Sequence, residues 1–146
     1  GYIITAQAAI TNTCIGVFNG IFYNAATTLK PTWANWYNQP ITPANSEDVT
    51  CFVIDNPTQL FVVSLDTAAA QAIYGMTMGL TVTAAGSETS GQSSSTLTYA
   101  TRHATNNQWR LVRTAEDPEN NQNATFRSVV VAHNLNQYFT GAVTWA

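Results

Sequence analysis

Short runs of β-branched and aromatic residues, cut apart by Gly, Pro, Asn and Asp, recur along almost the whole chain. A strand needs roughly four to eight such residues, whereas an amphipathic helix needs its period sustained over about ten or more. The chain is therefore expected to be mainly β: a single-domain antiparallel β-barrel or sandwich with at most one short helix. Ile15-Gly16-Val17-Phe18 and Ile21-Phe22-Tyr23 flank Asn19-Gly20, which predicts a hairpin because both positions of a two-residue turn favour positive φ. Val49-Thr50-Cys51-Phe52-Val53-Ile54 and Gln59-Leu60-Phe61-Val62-Val63-Ser64 flank Asp55-Asn56-Pro57-Thr58 and predict a second hairpin. Further strands are expected at Leu80-Thr81-Val82-Thr83, Trp109–Arg113 and Phe126–Ala132, with Gly141–Trp145 as a closing strand.

The segment from Asp66 to Gly75 begins with an N-cap residue type, runs through alanines and ends in Gly, so it reads as a short helix or helical turn. Thr27–Asn45 holds Pro31, Pro40 and Pro43 and reads as an irregular excursion. Ala85–Thr96 is rich in Gly and Ser and reads as a long loop or a ribbon of weak register. Glu116–Asn123 is an acidic, Asn-rich turn. No repeat and no shift in composition marks a second domain. Residues 1–14 carry no charge and read as an N-terminal arm or edge strand, ahead of a β-rich domain over residues 15–146.

Charge is scarce. Five Lys and Arg and eight Asp and Glu make up 9% of the 146 residues, against about 25% in an average chain. Hydrophobic residues still make up 45%, so this is not the composition of a disordered chain. A chain that keeps a full core and discards surface charge is expected to cover much of its surface with neutral partners. The bases Lys30, Arg102, Arg110, Arg113 and Arg127 are scattered, and nucleic-acid binding needs them gathered into a stripe. No apolar run approaches the roughly 20 residues that span a bilayer, and Gly1-Tyr2-Ile3-Ile4 lacks the basic start of a signal peptide. Neither nucleic-acid nor membrane partners are expected.

The catalytic inventory is thin, and the chain is read as a non-enzyme without cofactors. His103 and His133 lie 30 residues apart, beside no nucleophile elbow and no HExxH pattern. His133 reads as a strand-end histidine bonded to backbone. Cys14 and Cys51 sit in apolar β-like surroundings and read as two reduced core thiols, with a single bridge as the alternative. Together with the histidines they lack the close pairing of a structural zinc site, so no metal is expected. Asp117, Glu119, Asn121 and Asn123 alternate like the start of a calcium loop, but Gln122 and Ser128 stand where Gly and Glu are required, which leaves a solvated turn. Trp33, Trp36 and Tyr37 form the densest aromatic cluster. They are read three ways: core packing, a protein interface, or a platform for sugars.

Three blocks in order carry a family resemblance. They are the extended stretch entering Val17-Phe18-Asn19-Gly20; Phe52-Val53-Ile54-Asp55-Asn56-Pro57-Thr58-Gln59-Leu60-Phe61-Val62-Val63; and Trp109–Arg113 coupled to Asp117–Asn121 and Val129–Asn134. A Gly/Ser/Thr loop separates the second block from the third. The chain resembles the capsid decoration, or cement, proteins of tailed double-stranded DNA bacteriophages. Its third block departs from that pattern by ending in His133-Asn134-Leu135-Asn136.

The resemblance implies a virion structural protein, assembled in the host bacterial cytoplasm. It would sit on the outer surface of an icosahedral shell, bind the major capsid protein and form a homotrimer. It brings no catalytic residues. Tyr2, Ile3, Ile4 and Ile10 are then candidate capsid contacts, since a free arm would leave them in water. The alternative reading is a carbohydrate-binding or adhesin-like module built on Trp33, Trp36 and Tyr37.

Overall fold

The computed structural model describes residues 13–37, 41–68, 71–82, 86, 87, 89–104, 106–121, 123–136 and 138. The strands are β1 (Val17–Asn24), β2 (Pro31–Ala34), β3 (Thr50–Ile54), β4 (Leu60–Leu65), β5 (Thr77–Val82), β6 (Ser95–His103), β7 (Trp109–Thr114) and β8 (Ser128–His133). They form two units: a three-stranded sheet in the order β2-β1-β3, and a closed barrel in the order β4-β6-β5-β7-β8. The mainly β, barrel-type architecture expected from the sequence is what the chain adopts. Every named pairing is antiparallel except β4 with β6, which run parallel over Ser64↔Thr96 and Leu65↔Leu97.

Alternation along the strands builds the barrel core. Leu65, Met78, Leu97, Leu111, Val129 and Val131 are at most 1% exposed, and Trp109 and Ile73 join them. Burying such side chains is worth roughly 1.5–3 kcal/mol each, so closure of the barrel rests on this one cluster. The barrel's outer face carries Leu60, Val62 and Val112, all exposed. Uncharged hydrogen bonds close one end. Asn107, 1% exposed, donates through Nδ2 to the carbonyls of Thr77 (3.0 Å) and Thr101, while Asn134 Nδ2 donates to the Asn107 carbonyl at 2.8 Å. These bonds hold β5 against β6 where their register shifts between Thr77 and Gly79.

Several local expectations give way. Asn19-Gly20 is not a hairpin turn: β1 runs straight through it and the pairing with β3 slips between Phe18 and Gly20, a β-bulge. Gly20 has φ +151°, and a Cβ there would lie 2.7 Å from Trp33 Cζ2 and 2.8 Å from the Ala34 carbonyl oxygen. The glycine serves close approach rather than chain reversal. Nor do Asp55–Thr58 close a hairpin, because β3 belongs to the sheet and β4 to the barrel. Asn56 makes a local turn there, its Oδ1 accepting from Thr58 N at 3.0 Å.

The expected excursion at Thr27–Asn45 contains β2, which Pro31 opens at a sheet edge where its missing N–H costs no ladder bond. Among the described residues the expected short helix or helical turn is a 3-10 turn at Gln71–Ile73. Its would-be cap, Asp66, instead accepts from Tyr99 N at 3.0 Å and ties the end of β4 to β6. Strand β6 itself begins at Ser95, inside what read as the tail of a flexible loop. The proposed closing strand Gly141–Trp145 lies outside the described residues.

Candidate functional site

Residues directly opposite each other in neighbouring strands share a face of the sheet, and the face alternates along each strand. In the three-stranded sheet, Phe22 lies opposite Trp33 on β2 and Thr50 on β3, and Gly20 lies opposite Phe52. One face therefore collects Phe22, Trp33 and Phe52. The indole of Trp33 leans over Gly20 and meets the Phe52 ring at a centroid distance of 5.0 Å, tilted by 54°. The three side chains are 40%, 52% and 43% exposed. The other face holds Ile21, fully buried, the half-buried Tyr23 and Val53, and the exposed Phe18 and Cys51. The sheet thus has one side that opens three aromatic rings to solvent and another that is covered around Ile21.

The sequence cluster of three aromatics is divided by its contacts. Trp33 belongs to the exposed face just described. Trp36 is half-buried, with its ring against Gly91: a Cβ at that position, where φ is +69°, would lie 2.5 Å from Trp36 Cε3. Tyr37 is about half exposed. Trp33 and Trp36 thus have different partners, while Phe22 and Phe52, which the sequence did not single out, complete the surface around Trp33. Strand alternation read through the bulge would have found them. Tyr2, Ile3, Ile4 and Ile10 lie outside the described residues.

The second cluster is buried. Cys14 Sγ lies 3.2 Å from His133 Nδ1, and Cys14 N donates to the Leu135 carbonyl at 3.0 Å. The His133 ring stacks on Trp109 at 4.3 Å and meets Phe61 edge-on at 5.3 Å. A thiol beside an imidazole has the outline of a nucleophile and its base. The electrostatics run the other way. Burial pushes the Cys14 thiol up to about 11 and holds the imidazole below its usual value, so both stay neutral near pH 7. A neutral buried thiol is a poor nucleophile, and the pair acts as a polar plug against the core. His133 is the expected strand-end histidine, but its ring bonds the thiol rather than backbone. Cys14 is the expected buried thiol. Cys51 is not: it is exposed on the edge strand β3, opposite Ile21, and no disulfide joins the two.

The acidic turn is built from its own side chains. Asp117 Oδ1 accepts from Glu119 N at 3.1 Å, and Asn121 Oδ1 accepts from Asn123 N at 3.0 Å. Asn120 spans the strands on either side, donating to the carbonyls of Ala115 (2.9 Å) and Ser128 (2.7 Å) and accepting from Ser128 N (2.9 Å). The alternating oxygens hold turns. The turn borders an open cleft of about 510 Å³, lined by Tyr74 and by Arg113, which is paired with Glu116 at 3.1 Å. Among the described residues no group of three or more His, Cys, Asp or Glu could hold a metal, and no helix is long and apolar enough to cross a membrane.

The bases do not converge. Arg102 lies over the Tyr99 ring at 4.1 Å, Arg110 donates to Asn134 Oδ1 at 2.9 Å, and Arg127 is buried. The exposed aromatic face is therefore the surface best suited to recognition. Comparison of the chain with protein-family models, with curated proteins and with solved structures finds no match.

Proposed function

We propose that this chain is a virion structural protein that coats the outer surface of an icosahedral bacteriophage shell and reinforces it, with the major capsid protein as its partner and a homotrimer as its working unit. The observation that carries the reading is the face of Phe22, Trp33 and Phe52. It presents three large aromatic side chains to solvent on one side of the sheet. Monomeric proteins seldom leave such a patch uncovered, and aromatic rings dominate the centres of protein interfaces. A surface low in charge, with Leu60 and Val62 exposed on the barrel wall, fits close packing among neutral neighbours.

Neither surface depends on a cofactor or on catalysis. The test is co-sedimentation of the purified chain with empty shells of the particle it comes from, paired with analytical ultracentrifugation of the chain alone. The reading expects saturable binding and a trimer at tens of micromolar. A chain that stays monomeric and leaves the shells bare overturns it. Retention on a polysaccharide column instead, lost in Trp33→Ala, assigns the same face to sugars.

A further inference from the structure

We infer that the outer edge of β3 takes an extended segment of the shell protein as a fourth strand, and that this segment has an uncharged centre bracketed at both ends by Lys or Arg. The inference rests on the shell-coating reading and names the chemistry of the partner at the same sheet.

The two edges of the three-stranded sheet are treated differently. The β2 edge is four residues long and opens with Pro31, which cannot donate to an added strand. The β3 edge, Thr50-Cys51-Phe52-Val53-Ile54, contains no Pro and no charge, and the extra residue of the bulge sits on β1. Among the described residues β1 is its one pairing partner. Natural edges are commonly blunted by Lys, Pro or a bulge, and this one carries none of them. Phe52 and Trp33 form an aromatic ledge beside it, against which a side chain of an added strand packs.

Charge at the ends of the strand selects the occupant. Glu47 and Asp48 precede β3 and Asp55 follows it, all three exposed. Glu47 accepts from Asn24 Nδ2 at 2.9 Å and Asp55 from the Tyr138 hydroxyl at 3.2 Å, both neutral donors. None of the three has a cationic partner among the described residues, where the ion pair is Arg113 with Glu116. Lys30 sits ahead of Pro31 on the far strand, two strand spacings or roughly 10 Å away.

A second copy of β3 is a poor occupant in either direction. Antiparallel pairing sets the Glu47–Asp48 end of each copy beside Asp55 of the other, and parallel pairing sets like ends together. Both bring carboxylates against carboxylates. A strand of another protein with Lys or Arg at each end meets complementary charge at both. Backbone hydrogen bonds then supply affinity, and the end charges fix which strand is accepted.

Two synthetic peptides test this against the full chain by amide chemical shifts. One has a five-residue Thr/Val centre with a Lys pair at each end; the other has the same centre with Glu pairs. The Lys-flanked peptide is expected to shift the amides of Thr50–Ile54 while leaving β2 unmoved, and to bind at least tenfold more tightly than the Glu-flanked one in low salt. Glu47→Gln, Asp48→Asn and Asp55→Asn together are expected to weaken the Lys-flanked peptide about three- to tenfold, a difference that disappears at high salt.

Equal binding of the two peptides, shifts centred elsewhere, or no binding at millimolar peptide overturns the inference. So do β3 shifts that follow protein concentration alone, which assign the edge to a second copy. If the wild-type chain coats shells while the peptides fail, the strand-addition inference falls and the shell reading stands. If the chain takes the Lys-flanked peptide but never the shell, the shell reading falls.

Discussion

Gly20→Ala probes the point at which the sequence most misleads, because Asn19-Gly20 has the composition of a turn and the geometry of a bulge. The added Cβ would lie 2.7 Å from Trp33 Cζ2 and 2.8 Å from the Ala34 carbonyl oxygen. The indole is half exposed and can swing away, but the carbonyl is fixed by the ladder that pairs Ala34 with Ile21. A side chain at φ +151° adds strain of about 1–2 kcal/mol, and overpacking adds about 1–3 kcal/mol, so the expected destabilisation is about 2–5 kcal/mol.

Urea unfolding followed by tryptophan fluorescence measures it, with an unchanged m-value showing that stability rather than compactness has moved. A double-mutant cycle with Trp33→Ala separates the two clashes. Removing the ring relieves one clash and leaves the other, so the pair should be less destabilising than the sum of the single variants by about 0.5–1 kcal/mol. A Gly20→Ala protein within about 0.5 kcal/mol of wild type, or strict additivity with Trp33→Ala, refutes the claim that the indole rests on this glycine.

Asn120→Ala removes three hydrogen bonds across the acidic turn and should cost about 2–3 kcal/mol in the same assay; a loss under about 1 kcal/mol contradicts the bridging role. A thiol reagent should modify Cys51 in the native protein and reach Cys14 only on unfolding, one equivalent before denaturant and two after; two native equivalents would place Cys14 at the surface. The buried pair also sets the pH profile. Below the ordinary thiol value of 9.0 the Cys14 contribution is fully present. From there to about 11 the folded thiol keeps a proton that the unfolded chain releases, so stability falls by about 1–2 kcal/mol as pH rises. His133 acts at the other end: its contribution is full above 6.5 and is lost as pH drops below it, because the unfolded imidazole takes the proton first. Cys14→Ala should flatten the alkaline limb, and an unchanged limb refutes the assignment.

The strand at Trp109–Thr114 was legible because Trp109 and Leu111 alternate with arginines and face a core, and the one at Ser128–His133 because it is a run of β-branched residues, local rules that need no knowledge of partners. Which strands pair was not legible. Asn-Gly reads as a turn in any window of ten residues; that it serves as a bulge depends on Trp33, more than ten positions later, coming to rest on it. The same holds for Asp55–Thr58, where a turn signal marks passage between two sheets instead of reversal within one. Strand β6 is not legible because Ser95, Thr96, Thr98 and Thr101 make it polar, yet Thr98 bonds Thr81 across the ladder at 2.7 Å and Leu97 is fully buried.

At the candidate site, Trp33 stood out by aromatic density. Phe22 and Phe52 did not, since they lie on separate strands and join Trp33 only through the pairing of β1 with β2 and, at the Gly20 bulge, with β3. Cys14 and His133, 119 positions apart, have no common signal in the sequence.

An electron cryomicroscopy reconstruction of shells incubated with the purified chain tests the central claim most directly. The account predicts density for the chain on the outer surface, with Phe22, Trp33 and Phe52 covered by shell protein or by a neighbouring copy and a shell-protein segment running along β3. Bare shells, or bound chains whose aromatic face points into solvent, contradict it.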